Sequence, residues 1–135
     1  MARLVLHSWA LLAFFEDAPT AEAVEGILLA AEAGKHHLLL SALDWGEIYA
    51  VIMRRVSQAS AEEKARQIAE LPIEIVSVSE DLALVRQAAI YRVTYRLRTA
   101  PGFTAALAKV RNACLVTGDQ VYRALENQFK IQWLA

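Results

Sequence analysis

Short apolar runs alternate with longer stretches of helical periodicity along this chain. Each run has the length and composition of a strand that is covered on both faces in a parallel sheet. The run that follows Pro72 is the clearest, because its β-branched residues pack well on a pleated surface. We therefore predict five strands, within residues 4–6, 38–40, 73–78, 113–117 and 131–134.

Helix-start signals lie between these predicted strands. A serine or threonine oxygen can accept a first-turn N–H, and a carboxylate three residues later completes a capping box. Ser41 with Asp44 and Ser60 with Glu63 have this spacing. Proline is favoured at the first position of a helix because its φ is already helical. We expect the helices to begin at or just after Trp9, Thr20, Ser41, Ser60, Ser79, Pro101 and Gly118.

The predicted element order is β-α-α-β-α-α-β-α-α-β-α-β. Strands that alternate with helices indicate a three-layer α/β/α sandwich, with a mainly parallel central sheet of about five strands. His36 and His37 are adjacent and are expected in a loop. The chain has 135 residues and no repeat or linker, so we predict a single domain over residues 1–135.

Composition and charge narrow the function classes. The formal net charge is −1, so the whole molecule does not attract nucleic acid or an anionic membrane. The single cysteine, Cys114, lies in an apolar run and is expected to be a small buried hydrophobe in a reducing compartment, the cytoplasm. The apolar amino-terminal stretch lacks a convincing cleavage site, and no run reaches the roughly 18 residues of a membrane span. We expect no membrane association.

Polar side chains follow three of the predicted strands. Ligands of open parallel sheets bind beyond the carboxyl ends of the strands, where the strand order reverses. Three distant segments therefore bring polar groups to one edge of the sheet: His7 and Ser8 after the first strand, Asp44 and Glu47 after the second, and Thr117 and Asp119 after the fourth.

Four runs at this edge resemble motifs of one family. They are LVLHSWALLA at 4–13, SALDWGEIY at 41–49, APGFTAALA at 100–108 and LVTGD at 115–119. In this order and spacing they resemble the PIN-domain family, with the VapC-like toxin ribonucleases as the nearest subgroup. The resemblance extends from Arg3 to Leu134. It implies a PIN-like fold and a hydrolase of a toxin–antitoxin system, a metal-dependent endoribonuclease.

The resemblance also implies a site, which is degenerate here. The family uses four carboxylates to bind Mg²⁺ or Mn²⁺, which activates a water for RNA cleavage. The second and fourth acids correspond to Glu47 and Asp119, which the resemblance makes the catalytic and metal-binding residues. The first corresponds to His7, whose nitrogen suits Mn, Co, Ni or Zn better than Mg. The third corresponds to Pro101, which offers no ligand. Trp9 is bulky where such toxins carry a small residue, and can partly fill the cleft.

Each candidate residue also has an ordinary structural explanation. Asp119 can cap the helix that follows it, and Glu47 can be a solvated helix residue. His7 can simply be hydrogen-bonded at a strand end. Asp44 and Thr117 add further oxygens if their side chains point inward.

Arg92, Arg96 and Arg98 are candidate nucleic-acid-binding residues near a predicted helix end. With Tyr91 and Tyr95 they form rows at helical spacing, which could hold RNA by stacking and phosphate contacts. The alternative, which we favour, is that the cations complement the helix C-terminus and the tyrosines pack on the body of the protein.

Three hypotheses follow. The first is a PIN-domain protein with little or no Mg²⁺-dependent cleavage, which acts by binding RNA, an antitoxin-like helix or a second copy in a homodimer. The second is an active Mn/Mg-dependent ribonuclease that uses Glu47 and Asp119 with His7. The third is a metal-binding regulator built on the same three residues. The first is favoured, because even changes around a metal site cost about 10- to 100-fold in affinity or activity.

Overall fold

The computed structural model describes residues 2–134. Its five strands form one sheet with the order β3-β2-β1-β4-β5, and all neighbouring strands are parallel. The strands are β1 Ala2–Leu6, β2 His36–Ser41, β3 Ile73–Val76, β4 Cys114–Thr117 and β5 Ile131–Trp133. The predicted α/β class and its parallel sheet are confirmed.

Six α-helices cover the two faces of the sheet in the described residues. They are α1 Ser8–Phe15, α2 Ala21–Glu32, α3 Ala42–Arg55, α4 Gln58–Glu70, α5 Leu82–Tyr95 and α6 Thr99–Val110. Two 3₁₀ helices lie at Val78–Glu80 and Gln120–Leu125. Side chains alternate along β1, so Leu4 and Leu6 join the core under α1–α4, whereas Val5 joins the core under α5 and α6. In residues 2–134, no helix is both long and apolar enough to cross a membrane.

Three helix starts differ from the prediction. Ser57, and not Ser60, accepts the first-turn N–H of α4. Asp81, and not Ser79, has this role in α5. Pro101 is the third residue of α6 instead of the first. Since a residue of equal capping chemistry stands within three positions in the first two cases, the pattern located each helix without identifying its cap.

The expectation that His36 and His37 lie in a loop was wrong. Both are the first residues of β2, because β1 begins at Ala2 and pairs with them there, Ala2 with His36 and Arg3 with His37. His37 Nε2 lies 3.1 Å from Glu74 Oε1 on β3, and both side chains are nearly half exposed. Strands β1 and β2 thus begin before the apolar runs from which they were predicted.

The strand order reverses beside β1. The chain adds β2 and β3 on one side of β1, and then returns to the other side to add β4 and β5. Helices therefore leave β1 and β4 in divergent directions, which opens a crevice at their carboxyl ends. Leu6 pairs with Val116 at this edge, His7 follows β1 directly, and Asp119 lies two residues beyond β4.

Candidate functional site

A cleft of about 430 Å³ opens at the carboxyl ends of β1 and β4. We name it the carboxyl-end cleft. Its lining contains all four positions that the resemblance identified: His7, Glu47, Pro101 and Asp119. Asp44 and Trp9 also line it. Four segments that are distant in sequence are thus brought together as the strand order requires.

His7 is buried in the cleft wall, at 7% exposure, and burial lowers the pKa of its imidazole to about 4 although Asp119 acts against the shift. Its Nδ1 lies 3.0 Å from the Thr117 hydroxyl oxygen, which also accepts the Asp119 N–H at 3.0 Å. The Thr117 hydroxyl can donate its proton to Nδ1, and the ring proton is then on Nε2. In this arrangement neither nitrogen of the neutral ring offers a lone pair to a cation.

Asp44 lies in the first turn of α3 but is turned into the interior, at 1% exposure. Its Oδ2 is 2.6 Å from the Thr104 hydroxyl oxygen, which is also 3.1 Å from the Ala100 carbonyl oxygen. Burial raises the pKa of Asp44 to about 7; the bond from Thr104 opposes the rise and nearby Glu47 adds to it. A protonated Asp44 can donate to Thr104 while Thr104 donates to Ala100. The Asp44–Thr104 pair joins α3 to α6 below the cleft. Protonation of Asp44 reduces the negative charge of the cleft.

The two retained acids make ordinary structural contacts. The Glu47 side chain is about half exposed, and Glu47 Oε1 lies 3.9 Å from Arg54 Nη2, a solvated pair. Asp119 Oδ1 accepts the Val121 N–H at 3.0 Å and so caps the 3₁₀ helix. These contacts leave the second oxygen of Asp119 and the carboxylate of Glu47 for a ligand.

Trp9 narrows the cleft from the start of α1. Its indole packs on the backbone of Gly118, where an added Cβ would lie 2.5 Å from indole Cη2. Such a distance is too short for any side chain, so a glycine is required here for close approach. The bulky residue expected from the sequence does occupy part of the cleft.

Of the three candidate RNA-binding arginines, the structure brings only Arg98 to the carboxyl-end cleft. The aliphatic stem of Arg92 lies against Gly102 of α6, and Arg96 ends α5 in the left-handed conformation with φ of 56°. Tyr91 is 2% exposed and has no face free for a base. The arrangement resembles the packing alternative more than a stacking surface.

The donor atoms of the cleft do not fit a divalent cation. In residues 2–134, no group of three or more His, Cys, Asp or Glu side chains lies close enough to hold a metal ion. His7 Nδ1 is bonded to Thr117, burial keeps Asp44 partly protonated, and Pro101 has no donor. Glu47 and one oxygen of Asp119 would leave most positions around Mg²⁺ to water, and so offer at most a weak site.

Sequence reasoning missed Thr104. It stands within an apolar run of α6, is fully buried, and holds the inward-turned Asp44. A hydroxyl among alanines on a buried helix face was the available signal, since a buried polar group requires a partner. The identity of that partner depended on how α3 and α6 meet.

Comparisons with known proteins agree with this geometry. A family model described as PIN domain matches residues 5–127. No curated protein sequence matches the chain significantly. Among solved structures, VapBC2 from Rickettsia felis bound to a promoter DNA fragment is similar at 13% identity and a TM-score of 0.76, over 98% of this chain and 99% of that chain.

Two further structures are similar in fold. DNA-bound VapBC from Salmonella typhimurium matches at 12% identity over 100% of both chains, with a TM-score of 0.75. VapBC-5 from Mycobacterium tuberculosis, a member of the VapBC family of toxin–antitoxin systems, matches at 18% identity with a TM-score of 0.64, over 99% of this chain and 98% of that one. The family model spans most of the chain, and the chain therefore belongs to the PIN domain family.

Proposed function

We propose that this chain is a VapC-like cytoplasmic protein, one PIN domain over residues 1–135, that does not cleave RNA with Mg²⁺. It acts instead by binding a protein partner of the antitoxin type at the carboxyl-end cleft. One observation supports this most: the polar groups of the cleft are engaged with other protein groups where a metal site would need free anionic oxygens. A homodimer is part of the proposal on the family resemblance alone.

Charge favours a protein over RNA as the ligand of this cleft. Without a metal ion between them, Glu47 and Asp119 outweigh the charge of Arg98 in the lining and repel a phosphate backbone. The same carboxylates can pair with an arginine or lysine of a partner helix, while Trp9, Leu12 and Pro101 provide apolar contact beside them. The similar Rickettsia and Salmonella structures are VapBC complexes, which is consistent with a partner of this kind.

RNA cleavage by the purified protein tests the first half of the proposal. With Mg²⁺ or with Mn²⁺, we expect the wild type to cleave no faster than Glu47→Ala. Cleavage that is lost in Glu47→Ala would overturn the proposal, and would support an active ribonuclease that uses Glu47, Asp119 and His7.

Binding of an antitoxin-like protein, with an arginine- or lysine-bearing helix, tests the second half. Glu47→Gln should weaken the complex by about 10-fold, because it removes one member of an ion pair while keeping the side-chain shape. Glu25→Gln on α2 is the matched control, since Glu25 is also exposed but lies outside the cleft. Equal affinity of wild type and Glu47→Gln would argue against this cleft as the binding site.

A further inference from the structure

A larger cavity, of about 680 Å³, lies at the opposite edge of the sheet. We name it the amino-end cavity, because its walls come from the amino ends of β1, β4 and β5 and from the end of α6. The polar and aromatic residues in its lining are Arg3, Lys109, Asn112, Gln128, Phe129 and Lys130. No aspartate or glutamate is among its lining residues in the described part of the chain. Its volume is within the roughly 300–1,000 Å³ of small-molecule sites.

Two of the three cations of this cavity are held in place by hydrogen bonds, and none of the three is neutralised by an ion pair in the described residues. Arg3 Nη1 donates to the Arg111 carbonyl at 2.9 Å, and Lys109 Nζ donates to the Gln128 carbonyl at 3.1 Å. None of the ion pairs within residues 2–134 involves Arg3, Lys109 or Lys130. Bonds to neutral carbonyls position Arg3 and Lys109 and leave their charges uncompensated.

Neighbouring groups add neutral donors and an aromatic surface. The Tyr91 hydroxyl donates to Gln128 Oε1 at 3.2 Å, which leaves the Gln128 amide nitrogen available as a donor. Phe129 packs against Tyr91 with ring centroids 6.3 Å apart, and also lines the cavity. Asn112 holds the turn into β4 in the left-handed conformation. Cations, amide donors and an aromatic ring are the groups that recognise a phosphate joined to a base.

We propose that the amino-end cavity binds the phosphate-bearing end of a nucleotide. Arg3, Lys109 and Lys130 contact the phosphate, and the base lies against Phe129. The ligand is either a free nucleotide or the terminal nucleotide of an RNA chain, and both present the same chemistry. This site is about one strand length from the carboxyl-end cleft, so it does not depend on the fate of that cleft.

Helix termination offers a competing explanation for part of the cluster. Lys109 is in the last turn of α6, and Arg3 bonds a carbonyl just beyond it, so both can complement the helix dipole. That explanation does not include Lys130, which precedes β5, nor the absence of aspartate and glutamate from the lining within the described residues. The two accounts differ in whether the cations matter for ligand binding or only for stability.

Calorimetric titration separates them. AMP should bind, and adenosine should bind at least about 10-fold more weakly because the charge-assisted contacts are lost. Lys130→Gln and Arg3→Gln should each weaken AMP binding by about 10-fold, while Arg66→Gln, an exposed cation on α4, should not change it. Short RNAs with a 5′-phosphate or a 5′-hydroxyl distinguish a free nucleotide from the end of an RNA chain as the ligand. Preference for the phosphorylated RNA indicates a chain end, and binding of AMP alone indicates a free nucleotide.

The single cysteine gives an independent readout. Cys114 lines the cavity, and burial raises the pKa of its thiol, so its reaction with an aromatic disulfide is best followed above pH 8. Saturating AMP should slow this reaction several-fold in the wild type and not in Lys130→Gln. Absence of binding by AMP, inorganic phosphate and RNA at about 5 mM would overturn the proposal. So would Lys130→Gln and Arg3→Gln variants that melt at lower temperature but bind AMP as the wild type does.

Discussion

The polar groups at the two ends of the central sheet differ in their hydrogen bonding and charge. At the carboxyl-end cleft, His7 is neutral and bonded to Thr117, Asp44 is bonded to Thr104, and Asp119 caps a 3₁₀ helix. At the amino-end cavity, by contrast, three cations line one space with no acid among the lining residues. The lining of the amino-end cavity thus carries only positive charge, whereas the lining of the carboxyl-end cleft combines Glu47 and Asp119 with Arg98.

The polar groups of the carboxyl-end cleft lie outside the two apolar cores. His7 lies between β1 and α1, and Pro101 lies in the first turn of α6, so neither belongs to the cores on the two faces of the sheet. A buried polar group without a partner costs about 1–3 kcal/mol, and the buried His7 and Asp44 both have partners within the protein. Thr117 and Thr104 provide those partners.

The largest effect should come from restoring acids at the carboxyl-end cleft. The double variant His7→Asp, Pro101→Asp should cleave RNA in Mg²⁺ at least about 100-fold faster than the wild type, because losses at metal sites are of this order or greater. Adding Glu47→Ala to the double variant should abolish the gain. A folded double variant that remains inert would show that these two positions are not what separates this chain from an active nuclease.

The pH dependence of stability should reveal two opposed groups in the same cleft. The folded protein raises the pKa of Asp44 from 3.8 to about 7. Its contribution to the free energy of unfolding is therefore fully present below pH 3.8 and is lost as the pH rises through 7. The folded protein lowers the pKa of His7 from 6.5 to about 4. Its contribution to the free energy of unfolding is therefore fully present above pH 6.5 and is lost as the pH falls through 4. Between pH 4 and 6.5 the two slopes nearly cancel.

Denaturant unfolding of single variants measures how each group changes the free energy of unfolding with pH. From pH 6.5 to 4, Asp44→Asn should lose up to about 3 kcal/mol of unfolding free energy relative to the wild type, at about 1.4 kcal/mol per pH unit. His7→Gln should show the opposite trend and gain relative to the wild type on acidification. Parallel pH profiles for the wild type and Asp44→Asn would contradict the buried, partly protonated Asp44.

A smaller effect tests the close contact that narrows the cleft. Gly118→Ala should destabilise the protein by about 1–3 kcal/mol, because its Cβ would overlap the Trp9 indole. Combining it with Trp9→Ala should remove the clash, so the double variant should cost less than the two single changes together. Gly46→Ala is the control, since an added Cβ there meets nothing within 4 Å and alanine favours the α3 helix. Thermal or denaturant unfolding measures all four proteins.

The smallest effect concerns the solvated pair at the cleft rim. Arg54→Ala should change the unfolding free energy by less than about 0.5 kcal/mol, because both side chains of the Arg54–Glu47 pair are half exposed or more. A loss above about 1 kcal/mol in urea unfolding would mean that Glu47 is tied to Arg54 and is not available to a partner.

The sequence predicted the elements of the fold better than their ends. The apolar runs identified five strands, because burial on both faces is visible as composition. The first residues of β2 were missed, because His36 and His37 are placed by pairing with β1 and not by hydrophobicity. Ser57 and Asp81 were missed as caps, because neighbouring residues have the same local chemistry.

The sequence predicted which residues form the candidate site but did not predict their hydrogen bonds. Strand ends and family motifs identified His7, Glu47, Pro101 and Asp119, and the structure places all four in one cleft. The bonds of His7 to Thr117 and of Asp44 to Thr104 join positions 110 and 60 residues apart, which no local pattern reveals. The amino-end cavity was not anticipated, since Arg3, Lys109 and Lys130 share no motif.

Metal titration of the unmodified protein tests the central claim most directly. Calorimetry with Mg²⁺ and with Mn²⁺ should give no saturable binding below about 10 mM in the wild type, whereas the double variant His7→Asp, Pro101→Asp should bind both ions. Micromolar binding of Mn²⁺ to the wild type that disappears in Glu47→Ala would contradict the account, because the carboxyl-end cleft would then be a working metal site.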